Sequence, residues 1–285
     1  MIRLEIRFEN ALGMLRFRGV DATGVRLLAV SGLGLVQKEF RVTGYAGQAG
    51  QELLSEKDLA RTVTLSCDFQ SNTVHQELSR IMKILYRSGT LTVFSGNKKR
   101  SIACRCSDFD EPVYYGKNIV KLVVQFTCDN PYFTDGSPQK IDLLQRKSLL
   151  KTTFTLPCKF SQRTSRLVVV NNGDVPSEPV FSIYNSGTSS ASPEAYGIEI
   201  ENHTTGQSIL LERQTVSGEV ITVDVPNRKI TSSVSGDITY SISQDTFLSN
   251  FVLSPGANDI EAVNYNAGED ISVVLSYYNL YPEAV

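Results

Sequence analysis

The sequence contains no tryptophan, only three methionines and only two histidines, His75 and His203. A histidine-based zinc site or a Ser-His-Asp triad would have to use one of these two, and neither has a motif around it. His75 falls in the first turn of an expected helix and His203 in a polar Asn-His-Thr-Thr-Gly turn, so both are expected to face solvent. The missing tryptophan weakens a carbohydrate-stacking platform, although tyrosine could substitute. No run approaches 18 consecutive apolar residues, the length needed for a membrane-spanning helix. The opening MIRLEIRFEN interleaves charge with apolar residues, so no secretory leader is expected, and the Asn202-His203-Thr204 sequon has no meaning without one. A net charge of -2 excludes a globally basic nucleic-acid binder.

Cysteine is sparse and odd in number. The five residues Cys67, Cys104, Cys106, Cys128 and Cys158 sit in apolar, strand-like segments and are expected as buried free thiols of a reducing compartment. No C-x-x-C occurs. Cys104 and Cys106 form a C-x-C whose side chains are expected on opposite strand faces, unable to share a metal. Gly32-Leu33-Gly34 lacks the later glycine of a dinucleotide fingerprint and reads only as a turn. Asp108, Asp110 and Glu111 before Pro112 read as a solvated turn rather than a glycosidase pair. Lys98-Lys99-Arg100 reads as a solvated loop tip. No catalytic, metal or cofactor site is expected, and the chain is not expected to be an enzyme.

What the 285 residues do contain is period-two alternation. Ile2, Leu4, Ile6 and Phe8 share one face, and a turn at Asn10–Gly13 leads into Met14–Arg18. Further strands are expected at Val25–Val30, Arg61–Gln70, Thr90–Phe94, Ser101–Cys106 and Ile119–Cys128. One helix interrupts them, with Thr73 and Gln76 as a capping box and Gly89 as its closing glycine. Its apolar stripe is Val74, Leu78, Ile81, Met82 and Leu85. The Gly- and Gln-rich segment from about Gly32 to Leu59 is too long for an ordinary hairpin loop and is expected to be an arm that grips a partner.

Asn130-Pro131-Tyr132-Phe133 followed by Asp135-Gly136-Ser137-Pro138 marks a domain boundary, giving domains 1–133 and 134–285. Beyond it short strands recur at Ser165–Val170, Val180–Tyr184, Gly197–Glu201, Ser208–Leu211, Glu219–Val225, Lys229–Thr231, Ile238–Ser241, Asn258–Val263 and Ile271–Tyr278. That spacing is the mark of an all-β sandwich or barrel. Ser186–Pro193 is a low-complexity loop. The fold class is mainly β with a single packed helix.

Several strings, in order, resemble the siphophage distal tail protein family. They are Gly44–Leu54 followed by Arg61–Leu65, the helix and strand pair, Phe126-Thr127-Cys128-Asp129-Asn130-Pro131-Tyr132-Phe133, Val170–Asp174 with Pro179-Val180, Phe251–Ile260 and the closing Ile271–Tyr278. The resemblance implies a tail-tube-like sandwich or barrel at the N-terminus and a galectin-like sandwich at the C-terminus. It implies a structural virion protein forming a hexameric ring at the tail tip, assembled in the host cytoplasm. That ring would join the tail tube protein to a tail-tip hub or fibre protein resembling the tail-associated lysin, and sometimes a receptor-binding protein. DNA would pass through the channel without specific binding, and no membrane would be engaged. The arm residues would be Gly44, Tyr45, Gly47, Gln48, Gly50, Gln51, Leu53 and Leu54. Two other readings stand beside it: a β-sandwich that binds host-surface carbohydrate, and a baseplate hub component of a contractile tail or tailocin.

Overall fold

The opening alternation becomes a strand because Ile6 and Phe8 need a buried face while Arg7 and Glu9 need solvent. In the computed structural model, residues 4–18, 24–47, 49–148, 161–164, 166–187, 197–266 and 270–284 are described, with main chain only at 145–148 and 161–164. Cys158, Gln48 and most of the Ser186–Pro193 loop lie outside them. The chain divides into two compact units, 1–136 with 281–285, and 137–280. The cut therefore falls three residues after the expected 133/134 boundary, and the last five residues join the first unit rather than the second.

The first unit runs β1 (Leu4–Asn10), β2 (Gly13–Arg18), β3 (Val25–Ser31), β4 (Lys38–Thr43), β5 (Glu52–Asp58), β6 (Arg61–Gln70), α1 (Val74–Leu85), β7 (Gly89–Ser95), β8 (Lys98–Phe109), β9 (Val113–Tyr115), β10 (Ile119–Cys128) and β11 (Phe133–Thr134). Neighbouring strands follow the order β8-β7-β1-β2-β3-β6-β10, and β10 pairs back onto β8. This closes a seven-stranded barrel, which leaves those strands no open edge. All its pairings are antiparallel except β2 with β3. Its core holds Phe8 against Phe126, ring centroids 5.0 Å apart, with Phe17, Leu65, Leu91 and Leu122 fully buried.

Helix α1 covers this core with Val74, Leu78, Ile81, Ile84 and Leu85. Ile84 replaces the expected Met82, which is exposed. The expected capping box does not form: the Thr73 side chain makes no cap bond, and Ser71 Oγ instead accepts from the Thr73 N–H. The helix ends at Tyr86, three residues before Gly89. Gly89 belongs to β7, where a Cβ would lie 2.4 Å from the Glu9 carbonyl oxygen, so its role is close strand approach rather than helix termination.

The second unit comprises β12 (Gln139–Ser148), β13 (Ser161–Thr164), β14 (Arg166–Asn171), β15 (Val180–Asn185), β16 (Ile198–Asn202), β17 (Gln207–Leu211), β18 (Val220–Asp224), β19 (Lys229–Ser232), β20 (Gly236–Asp237), β21 (Gly256–Asn264) and β22 (Ile271–Tyr277). At β23 (Leu280–Tyr281) the chain passes back to the first unit. One sheet has the order β13-β12-β22-β15-β18-β19-β20 and the other β14-β21-β16-β17, a two-sheet sandwich. Phe181 meets Phe251 edge to face at 5.4 Å between them. Strand β12 was not expected from the sequence. The expected strand Ile238–Ser241 is instead a 3-10 turn over Thr239–Ser241.

Buried asparagines close the sandwich's turns. Asn171 donates to the carbonyls of Leu253 and Val175 and accepts from the Gly173 N–H, so one amide holds three main-chain groups. Asn171→Ala is expected to cost about 2 kcal/mol, because those groups lose their partner away from water. Urea unfolding of the full chain checks this, and a shift under about 0.5 kcal/mol would show the groups find other partners.

Candidate assembly interface

Strands β4 and β5 form a hairpin within the segment expected as a partner-gripping arm. Among the described residues, strands β4 and β5 pair only with each other. Register places Lys38, Phe40 and Val42 opposite Asp58, Glu56 and Leu53, and a bulge between Arg41 and Val42 leaves Leu54 as the extra residue. Opposed residues share a face, so Phe40, Val42 and Leu53 line one side of the ribbon. They are 56%, 45% and 54% exposed, Leu54 is 55% exposed and Tyr45 at the tip 63%. A two-stranded ribbon is marginal by itself in water, and an exposed apolar face on one marks a surface made to be covered.

Of the expected arm residues, Gly44, Tyr45, Gly47, Gly50 and Gln51 make the tip and Leu53 and Leu54 lie in β5. Gly47 and Gly50 carry φ of 88° and 93°, a backbone that other residues adopt only under strain. The sequence reading missed Phe40 and Val42. Their signal was the alternation in Lys38-Glu39-Phe40-Arg41-Val42-Thr43, hidden inside a stretch judged by its glycines.

The hairpin's root is held firmly. Leu59 N–H donates to the Gln37 carbonyl at 2.9 Å, Lys38 pairs with Glu56 at 3.1 Å, and the Tyr132 hydroxyl donates to Asp58. Burial and the Asp58 carboxylate together push the Tyr132 phenol up to about 12, so it stays a donor. Tyr132→Phe is expected to cost about 1 kcal/mol and to speed amide exchange at Leu59, read by hydrogen-exchange mass spectrometry. Unchanged exchange there would mean the hydroxyl does not hold the root.

Beside the root lies Arg61, the first residue of β6 and 5% exposed. Its guanidinium donates to the carbonyls of Gly32 at 2.5 Å, Gly34 at 2.7 Å, Pro131 at 2.8 Å and Pro282 at 2.5 Å. It also lies 4.8 Å from the centroid of the buried Phe133 ring. Burial pulls its pKa down from the ordinary arginine value. The Gly32-Leu33-Gly34 segment is thus more than a turn. A Cβ on Gly32 would come within 2.0 Å of the Thr62 carbonyl oxygen, so only glycine lets this segment pass. The closing residues join the same cluster, with the Ala284 N–H donating to Leu33 O at 3.0 Å. The Asn130–Phe133 string, read as a boundary, supplies Pro131, Tyr132 and Phe133 to this root.

Other sequence expectations resolve as follows. His75 is exposed, but His203 is half-buried between Glu201 at 3.2 Å and Glu261 at 2.9 Å, since the paired strands β16 and β21 set those glutamates opposite each other. Lys98 and Lys99 are exposed, whereas Arg100 is not a solvated tip: it pairs with Asp135 at 2.5 Å and sits 3.4 Å from the Tyr281 ring centroid. Asp108, Asp110 and Glu111 are exposed and gather into no cluster. Cys67, Cys104 and Cys128 are buried free thiols. Cys104 and Cys106 both belong to the inward-facing series of β8, correcting the expectation of opposite faces, because residues two apart on a strand point the same way. Among the described residues no group of three or more His, Cys, Asp or Glu side chains is placed to hold a metal. Among the described residues no helix is long and apolar enough to cross a membrane.

The described residues thus show a closed barrel bearing an apolar hairpin, followed by a two-sheet sandwich. Residues 172–281, almost all of them in the second unit, match the family model of the siphovirus-type tail component, C-terminal domain. The whole chain has the fold of the Dit protein of phage SPP1, whose crystal structure is described as a paradigm of the hub adsorption apparatus in phages infecting Gram-positive bacteria. That match has a TM-score of 0.65 at 14% identity, covering 97% of this chain and 98% of that one. A chain of the phage P2 baseplate, in its activated conformation with calcium, matches at TM-score 0.50 and 11% identity, with the same coverage. No curated protein matches by sequence. These findings bear out the resemblance to the distal tail protein family and the mainly β fold read from the sequence.

Proposed function

We propose that this protein is a structural component of a phage tail tip that forms a closed, hexameric ring joining the tail tube to the baseplate or tail-tip hub, with DNA crossing its channel. The observation that carries the reading is the fold shared over nearly the whole chain with a hub protein, joined to the tail-component match at 172–281. The barrel unit would form the ring, and the hairpin would reach the neighbouring subunit through its apolar face. Heterologous contacts close into a ring when each subunit offers such an element to the next. Expected partners are further copies of the chain, the tail tube protein, and a tail-tip hub or fibre protein. The protein would act in the virion, after assembly in the host cytoplasm.

The test is the solution mass of the purified protein, alone and mixed with the tail-tip protein of the same phage, with negative-stain imaging of large species. A six-fold ring with an open centre is the expected result. A chain that stays monomeric in both mixtures would overturn the ring.

A further inference from the structure

We propose that Cys104 and Cys128 form an oxidisable pair whose conversion to a disulfide locks the seam of the barrel. The inference goes beyond the tail-tip reading and does not depend on it. The barrel closes only through β8 and β10, whose register pairs Phe126 with Cys106 and Thr127 with Arg105. One step further along the same register, Cys128 stands opposite Cys104. Both belong to the inward-facing series of their strands and both are buried in the barrel core. Directly opposed residues of antiparallel strands have Cα atoms about 4.5–5.5 Å apart, inside the span a disulfide bridges.

The two thiols already interact. The interaction lowers the pKa of Cys128 and raises that of Cys104. The Arg61 guanidinium adds to the lowering at Cys128. The two sulfurs are thus shifted in opposite directions, the asymmetry that thiol–disulfide exchange uses. Cys67 shows no such shift toward the thiolate: burial, with the Asp68 carboxylate adding, pushes it up to about 12.

The chemistry balances with a small disulfide such as oxidised glutathione as oxidant. When the β8–β10 seam opens locally, the Cys128 sulfur attacks one glutathione sulfur and releases one glutathione thiolate, leaving a mixed disulfide. Cys104 then gives up its proton, its sulfur attacks that of Cys128, and the second glutathione leaves. Two electrons pass from the protein to the oxidant, and the two protons end on the released thiols. In a reducing compartment the pair stays as thiols, and in an oxidising one the seam becomes covalent.

The test incubates the folded full chain with oxidised glutathione, alkylates remaining thiols in denaturant, and maps disulfide-linked peptides by mass spectrometry. The expected result is a Cys104–Cys128 linkage with Cys67 alkylated, together with an unfolding temperature raised by about 5 °C and restored by reductant. Cys106→Ala should keep the linkage and Cys128→Ala abolish it. Should the latter fail to fold, the map on the unsubstituted chain decides. Alkylation of both Cys104 and Cys128, or linkage of either to Cys106 or Cys158 instead, overturns the proposal.

Discussion

Replacing Arg61 with methionine is expected to destabilise the first unit by about 3–5 kcal/mol, as seen for the loss of other buried charged partners. Methionine fills much of the same volume but donates nothing, so the carbonyls of Gly32, Gly34, Pro131 and Pro282 lose the donor they share. Each is held away from water beside Phe133, so its loss carries a desolvation cost that an exposed bond would not. Arg61→Lys should fall between wild type and methionine. It keeps the charge, but a compact ammonium cannot fork to four acceptors. Denaturant unfolding followed in the first unit measures both. A methionine variant within about 1 kcal/mol of wild type would show that water or rearrangement satisfies those carbonyls without Arg61.

The second large effect is on assembly rather than on folding. Substituting Phe40, Val42, Leu53 and Leu54 with threonine should leave the barrel folded and abolish the ring. All four are about half exposed in the single chain, and threonine keeps a strong strand preference, so little folding stability is at stake. In a ring they would be covered. Burying the remaining half of each side chain is worth about 1 kcal/mol, so four together contribute about 4 kcal/mol per contact, roughly a thousandfold in affinity. Sedimentation and negative-stain imaging of the quadruple variant provide the check. Intact rings would place the subunit contact elsewhere and leave the hairpin without this role.

The two effects are separable because the root and the ribbon do different work. Arg61, Tyr132 and the Gly32–Gly34 carbonyls fix where the hairpin leaves the barrel. The ribbon's apolar face contributes nothing to that anchoring, so loss of assembly with an unchanged unfolding curve would be specific to it.

Much of the strand pattern was legible beforehand. Arg61–Gln70 and Ile119–Cys128 end where expected because each alternates between one buried and one wetter face, broken only at the buried Asp68, and two-residue periodicity is a local property. The helix was legible for the same reason, but its face was not. Met82 and Ile84 are both apolar and adjacent to the stripe, and only the barrel beneath α1 selects Ile84. The hairpin was read as an arm but not as strands, since its glycine-rich tip dominated a segment whose flanks were short. The 3-10 turn at Thr239–Ser241 was read as a strand from its composition alone, with no neighbour strand considered.

By itself the sequence determined a mainly β chain with one packed helix, and it marked out the glycine-rich segment between Val25–Val30 and Arg61–Gln70 that was read as an arm. Each of these follows from residues close together in the chain. The tertiary structure alone decided the closure of the barrel, the convergence of residues 32–34, 131 and 282 on Arg61, and the meeting of Cys104 with Cys128. Such contacts join segments far apart in sequence, and their register depends on a bulge at Ser107 that shifts β8 by one residue against β10. A one-residue shift turns every later side chain to the other face, so no local pattern could have announced which residues would meet.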